Sequence, residues 1–456
     1  VSLCVDERAR RTLTDAEAVR RHDASVYDLR LRRDLAAAQV PEFEALRARA
    51  EAIKAHTLDH IDTYLERFEE TASAAGAVVH WAESAREHNR VVHQILERRG
   101  VQHVVKSKSM LTEDCQLNPY LEARGIEMVD TDLGERIVQL AGEMPSHIVV
   151  PAVHRRREEI GALFHKEIGT PEGEADPQRL TGYARNDLRP RFLAAGAGIT
   201  GVNFAVAETG SIVVCTNEGN ADLGMSLPPL HIACMGIEKV IPSLEDLAVF
   251  LRLLARSATG QPITAYTSLV TGPRRDAELH IVIVDDGRSR LLADSVHRHA
   301  LACIRCGACL NTCPVYRRAG GHAYGRAVSG PIGSVLAPGL GQGKEASQLV
   351  LASTLCGSCS EVCPVKIDLH GQILAWRQGP AAPRGRQRAL LRLAAELLVR
   401  PRLHRAVGRL SRMFWPALAR PWPGNPLNRW LRGRELPEPP GESFAARHRR
   451  VRGSDS

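Results

Sequence analysis

Seven of the chain's 11 cysteines fall between Cys303 and Cys363, and their spacing constrains the fold more than any other feature. CIRCGACLNTCP places Cys303, Cys306, Cys309 and Cys313 at C-x-x-C-x-x-C-x-x-x-C, with Pro314 directly after. Three thiolates at every third position wrap a loop around one cubane, and a fourth that ends the loop at a proline points away toward another. This is the bacterial ferredoxin pattern, in which the fourth cysteine serves the other cluster. A zinc site is the alternative, but structural zinc usually pairs two separated C-x-x-C units around one ion.

CGSCSEVCP gives a second copy with Cys356, Cys359 and Cys363, followed by Pro364. Aligned on the first copy, its missing leading cysteine falls at Ser353. With ligands exchanged between copies, cluster one takes Cys303, Cys306, Cys309 and Cys363, and cluster two takes Cys313, Cys356 and Cys359. The expected cofactors are two iron–sulfur clusters: one 4Fe-4S, and a second that is 4Fe-4S or 3Fe-4S with three cysteine ligands. Its fourth iron takes Ser353, water or another group, or is absent. Interlocked ligands make the clusters neighbours, which suits one-electron relay. Of the scattered cysteines, Cys215 and Cys234 sit in apolar settings and read as small buried residues rather than nucleophiles.

The rest of the composition is ordinary for a globular chain: 456 residues, 44% hydrophobic and 25% charged. That length suggests about three domains. The net charge of +8 is unevenly spread. Residues 380–456 carry 17 arginines, no lysine and five acidic residues, so the remainder is slightly acidic. The charged N-terminus has no apolar signal core, no run of 18 apolar residues occurs, and the cysteine number is odd; a cytoplasmic chain without a transmembrane segment is expected. The basic tail has no recognised nucleic-acid module, so nucleic acid is not an expected partner. Leu390, Leu393, Ala394, Leu397 and Leu398 instead form an apolar stripe suited to packing on a protein surface, its own or a partner's.

Along the chain, residues 1–40 read as a mobile charged arm. Phe43, Leu46, Ile53, Leu58, Ile61, Leu65 and Phe68 then recur at helical spacing and predict one long helix. From residue 70 to 295, apolar runs such as AVVHWA, HVVKSKS, IEMVDTD, SHIVVPAVH and LHIVIVDDG alternate with helical stretches, which predicts an α/β domain with a largely parallel sheet. The expected domains are thus 1–69 (arm and long helix), 70–295 (α/β), 296–378 (a mainly helical ferredoxin-type domain) and 379–456 (a basic extension containing Pro and Trp). GAGITG (196–201) matches a dinucleotide-binding glycine pattern, but it follows a helical segment and leads into a β-like run. That context is inverted, so the glycines read as turn and close-packing residues.

Over roughly residues 40–378 the chain resembles the iron–sulfur subunit of the lactate utilization (LUD) family. The resemblance is carried by VVKSKSM (104–110), DTDLGE (130–135), QLAGEMPSHIVVPAVH (139–154), GITGVNFAVAETGSIVVCTNEGN (198–220), HIACMGIEKVIPS (231–243) and both cysteine motifs. It implies that the LUD domain at 70–295 is a three-layer α/β sandwich like those of sugar-phosphate isomerases and CoA transferases. It also implies an electron-transferring subunit of a cytoplasmic, multi-protein system that oxidises L-lactate to pyruvate, with the other subunits and electron donor and acceptor proteins as partners. Departures occur at TGPRRDAELH (271–280) and GNADLGMSLPPLH (219–231), where the family's small hydroxyl residues and its Arg and Thr cluster are missing.

Lys106, Ser107 and Lys108 follow a β-like run, at the strand end where α/β sheets place ligands. With Glu208, Thr209, Asn217, Glu218 and Lys239 they are the candidate substrate-pocket residues; each also suits a solvated or structural role. No catalytic set follows from spacing, and His147 and His154 read as satisfied structural histidines. The other functional reading is an autonomous α/β enzyme acting on a phosphorylated or CoA-linked substrate, with regulatory clusters.

Overall fold

Near-continuous apolar runs become strands where both faces of a sheet are covered. In the computed structural model, which describes residues 5–341, 343, 345–379, 385–419 and 441–453, the runs form β1 (Val78–Ala82), β2 (His103–Lys106), β3 (Glu127–Asp130), β4 (Ala197–Gly201), β5 (Phe204–Val206), β6 (Ser211–Thr216), β7 (Leu230–Gly236), β8 (Val240–Ile241), β9 (Tyr266–Val270) and β10 (Glu278–Val284). Six pair in parallel in the order β1-β10-β7-β4-β2-β3. Alternate side chains serve opposite faces. Val104, Met128 and Ile232 pack with Val92 and Leu96 of the helix Ala85–Arg98. Val105 and Val129 pack with Leu188 and Phe192 of the helix Pro177–Ala194. The other four strands form a second, mostly antiparallel sheet, β8-β5-β6-β9.

GAGITG lies largely inside β4 rather than at a turn. Close packing is its reason: a Cβ on Gly198 would sit 1.9 Å from the carbonyl oxygen of Gly224, in the helix Asn220–Ser226.

Three expectations require correction. Residues 5–38 are not a mobile arm but two helices, Val5–Leu13 and Ala16–Ala38, the second capped by Asp15 accepting from the N–H groups of Glu17 and Ala18. Its buried apolar residues Val19, Val26 and Ala36 are few for its length, and polar contacts add to them: Arg33 donates to the carbonyl of Val362, and Asp23 pairs with Arg317. The single long helix is two, Phe43–Asp59 and Ile61–Ala74, broken at His60. Apolar spacing runs on through the break because both segments bury the same face into one core. SHIVVPAVH is not a strand; residues 146–155 form successive bends and turns. The reason is local, since His147 Nδ1 accepts from the N–H groups of Val149 and Val150 and so curls the chain on itself.

The cysteine region is a set of short helices, among them Ala308–Thr312, Pro314–Ala319, Gly330–Gly339, Ser358–Glu361 and Leu369–Gln378. Their buried residues Leu310, Tyr316, Val335 and Ile373 join the same core as Phe68, Ala233 and Ile281. Residues 1–381 form one compact unit and 382–456 another. The second contains the helices Arg386–Val399, Pro401–Ala419 and Phe444–Gly453, with Leu390, Leu393 and Leu398 exposed. Trp422 and Trp430 lie outside the described residues. Among the described residues no helix is long and apolar enough to cross a membrane.

Candidate functional site

The two cysteine motifs share one backbone. In the first, Arg305 (φ +61°), Cys306 and Gly307 (φ +78°) lead into a one-turn helix that carries Cys309. In the second, Leu355 (φ +55°), Cys356 and Gly357 (φ +82°) lead into a one-turn helix that carries Cys359. A left-handed conformation is uncommon for any residue with a Cβ, so its recurrence at Arg305 and Leu355 marks a loop shape imposed by what the loop surrounds. Superposed by this pattern, Ser353 falls on Cys303. Cys303 Sγ accepts the Arg305 N–H at 3.4 Å, and Ser353 Oγ accepts the Leu355 N–H at 3.1 Å.

The thiols sort by neighbourhood. Burial holds the Cys306 thiol above its ordinary range, and Cys363 and Cys303 add to the effect. Cys309 is raised by burial and then by Cys303 and Cys306. Burial pushes Cys359 up to about 12, with Cys313 and Cys356 as its thiol neighbours. Cys363, from the second motif, is thus a neighbour of Cys303, Cys306 and Cys309, and Cys313 of Cys356 and Cys359, while Cys359 also faces Cys309. Buried thiols that oppose one another's ionisation need a strongly attached cation to become thiolates. Soft sulfur donors in two adjoining sets, with backbone N–H groups aimed at Cys303 and Cys363, fit iron–sulfur clusters.

N-terminal helices hold these loops. Arg47 donates from Nε and Nη2 to the Cys363 carbonyl at 3.1 and 2.9 Å, and Nη2 also reaches the Glu361 carbonyl at 2.7 Å. From the α/β side, His147 Nε2 donates to Asn311 Oδ1 at 2.9 Å. Its Nδ1 is an acceptor, so the ring is neutral, and burial lowers its pKa to about 4. A Cβ on Gly307 would press on His147 and Val149 at 3.1 and 3.2 Å, which is how closely the two regions meet.

Between the sheet and the first cysteine loop lies a cavity of about 330 Å³. Its wall includes Ser107 and Lys108 after β2, Asn203 after β4, and Glu238 and Lys239 after β7. The C-terminal ends of adjacent parallel strands are where open α/β sheets bind ligands. Arg305 and Cys306 complete the wall from the cysteine loop. Most of the charges here are paired. Arg288 Nε reaches Glu238 Oε2 at 2.8 Å, and Lys108 Nζ donates to the Val149 carbonyl at 2.8 Å and lies 3.4 Å from Asp132. Burial would raise Glu238, but Arg288, Lys239 and Arg305 outweigh it and hold the carboxyl at about 2. Burial lowers Lys239 to about 8 and raises Asp114, also in the wall, to about 6.

The structure brings together at this cavity Ser107, Lys108, Asn217, Glu218 and Lys239 of the residues singled out in the sequence. Asn217 and Glu218 have structural partners as well: Asn217 bonds Gln261 and the Ala265 N–H, and Glu218 accepts the Leu133 N–H. Lys106, Glu208 and Thr209 lie elsewhere. Lys106 is fully buried, 2.7 Å from Asp130 and 2.8 Å from Glu113. Burial opposes its charge, but Asp130, Glu113 and Glu135 prevail and keep the ammonium protonated. Glu208 accepts the Leu244 N–H at the start of a helix, and Thr209 bonds Ser211. Strand-end position in the sequence does not say which side of the sheet a residue faces, hence these three misplacements. Sequence reasoning passed over Arg305, Asp114 and Arg47; for Arg305 the signal was present, a long cation inside a cysteine loop.

The LUD domain family matches residues 65–291 and the 4Fe-4S dicluster domain family matches residues 299–367. Lactate utilization protein B of Bacillus cereus (strain AH820) is 42% identical over 423 residues, 90% of this chain and 89% of its own. The proteins of that name from Bacillus thuringiensis (strain Al Hakam) and Bacillus anthracis (strain A0248) match at the same 42% identity, over the same shares of both chains. A solved DUF162 family protein from Deinococcus radiodurans aligns with 49% of this chain and 98% of its own at 13% identity, with a TM-score of 0.28, too low to bear on the fold.

Proposed function

The chain belongs to the lactate utilization protein B family, with a LUD domain and a 4Fe-4S dicluster domain, and from that premise we propose that it carries electrons away from the oxidation of L-lactate to pyruvate. What supports this reading is that Cys363 is an electrostatic neighbour of Cys303, Cys306 and Cys309, and Cys313 of Cys356 and Cys359. Bound clusters would supply one-electron transfer between neighbouring centres. Cys303, Cys306, Cys309 and Cys363 would hold a 4Fe-4S cluster. Cys313, Cys356 and Cys359 would hold the second, with Ser353 at the place of its fourth ligand.

The chain's own residues do the positioning. Arg47 fixes the Cys363 loop through its backbone, Asn311 and His147 tie the first loop to the LUD domain, and the loop N–H groups of Arg305 and Ile367 stabilise charge on sulfur. The same reading gives the LUD domain the sandwich of sugar-phosphate isomerases and CoA transferases, supported by six parallel strands with helices on both faces. It takes the partners to be other subunits of the lactate-oxidising system and the donor and acceptor proteins of the relay. The setting is taken as the cytoplasm, where free thiols stay reduced.

The test is anaerobic purification with iron and sulfide analysis, followed by mixing with the lactate-oxidising partner. Two clusters per chain that become reduced when lactate is added are expected. One cluster per chain, or two that stay oxidised beside an actively oxidising partner, would sink the proposal.

A further inference from the structure

Resting on the reading of the chain as part of lactate oxidation, we propose that the cavity beside the first cysteine loop binds a small α-hydroxy carboxylate, its carboxylate held by Lys239 and Arg305 and its hydroxyl by Asp114. Three observations carry this beyond the electron-relay role.

The first is the charge left over after pairing. Of the cations in the wall, Lys108 and Arg288 are committed to Asp132, to Glu238 and to backbone carbonyls. Lys239, half-buried, has no hydrogen bond or ion pair among the described residues. Arg305 Nη1 is buried without a hydrogen-bond partner, and Nη2 reaches Glu238 Oε1 only at 3.7 Å. A buried donor without an acceptor, such as Arg305 Nη1, is costly and rare, so an acceptor that arrives with a ligand is the economical account. An ammonium beside a planar guanidinium suits a carboxylate.

The second is Asp114, a wall residue whose carboxylate faces Arg305, Arg288 and Arg326 but makes no hydrogen bond or ion pair among the described residues. Among the described residues, the charged wall groups without a hydrogen bond thus include two cations and one carboxylate. A simple carboxylate satisfies the cations and leaves Asp114 unused. An α-hydroxy acid satisfies all three, because its O–H donates to Asp114.

The third is location and size. About 330 Å³ lies at the small end of ligand pockets. The cavity opens from the C-terminal ends of β2, β4 and β7, and Cys306 forms part of its wall. Arg305, next to that cysteine, extends the wall from the loop into the cavity lining. A ligand held there sits against the cluster site, with its α-carbon between Asp114 and the cysteine loop.

The site is tested on the full, cluster-loaded chain by isothermal titration calorimetry with L-lactate and with propionate, which has the same carbon skeleton but no hydroxyl. L-Lactate is expected to bind more tightly than propionate. Lys239→Met weakens both by at least about tenfold, and Asp114→Asn weakens L-lactate while sparing propionate. In the wild-type chain, L-lactate protects Lys239 from acylation mapped by mass spectrometry, a readout that needs no variant to fold. Absence of L-lactate binding up to about 20 mM or unprotected Lys239 overturns the site. So does a Lys239→Met chain that keeps its affinity and shifts only the cluster potential, since Lys239 is then a counter-ion of the cluster. In each of these cases, intact and reducible clusters leave the electron-relay reading standing; missing clusters overturn that reading instead.

Discussion

Ser353 occupies in the second cysteine loop the place that Cys303 holds in the first: each side chain accepts the N–H of the residue two further on, at 3.1 and 3.4 Å respectively. The duplication is therefore one of backbone as well as of sequence, and within it a hydroxyl stands where the first copy has a thiol. Ser353→Cys is expected to give the second set four thiolates. Spin-resonance spectra of the reduced protein check this: the second cluster's signal changes and the first cluster's does not. A spectrum identical to wild type would show that the side chain at 353 does not reach the iron.

The proposed exchange of ligands between motifs makes an asymmetric prediction. Cys363→Ser, in the second motif, is expected to disrupt the cluster built on Cys303, Cys306 and Cys309, whereas Cys313→Ser, in the first motif, disrupts the one built on Cys356 and Cys359. Iron content with spin resonance of each variant distinguishes this from motif-by-motif ligation, where the losses would be reversed.

Lys106 is a stability residue in this structure, not a ligand-binding one. It is fully buried among Asp130, Glu113 and Glu135. Lys106→Met leaves those carboxylates without their cation, a change that costs about 3–5 kcal/mol. Urea denaturation of the full chain should show a lower midpoint at pH 7. An unchanged midpoint would mean that the carboxyls protonate at little cost.

Acid should weaken the fold through histidines held neutral. Burial lowers His22, His88, His147 and His231 from the ordinary 6.5 to about 4. Unfolded, these rings take up protons below about 6.5, while in the folded chain they refuse them until about 4. Their contribution to stability is complete above that window and is lost as pH falls through it. Thermal unfolding at pH 7.5 and pH 5.5 should show a lower Tm at the acid value, and His147→Gln should reduce the difference. Equal Tm values at the two pH values would contradict it.

Much of this was legible in the sequence because it was local. Cysteine spacing specified the loops, and the prolines after Cys313 and Cys363 ended them. Apolar runs specified parallel strands, since a strand covered on both faces needs apolar residues at nearly every position. Residues 5–38 escaped because few of their residues are buried and apolar, and the second helix is held as much by Arg33 and Asp23, which a count of apolar residues does not register. His60 escaped because a helix break need not disturb apolar spacing.

The sequence by itself determined the chemistry available: seven thiols in two motifs, an α/β sheet, and a basic tail. Tertiary structure alone decided which charges face one another. Lys106 and Lys108 are two residues apart, yet one is sealed into a carboxylate cluster and the other lines the cavity. Arg305 and Lys239 are 66 positions apart and share that cavity. Side-chain direction at a strand end and the docking of one region on another depend on long-range packing, and no window along the chain contains that packing.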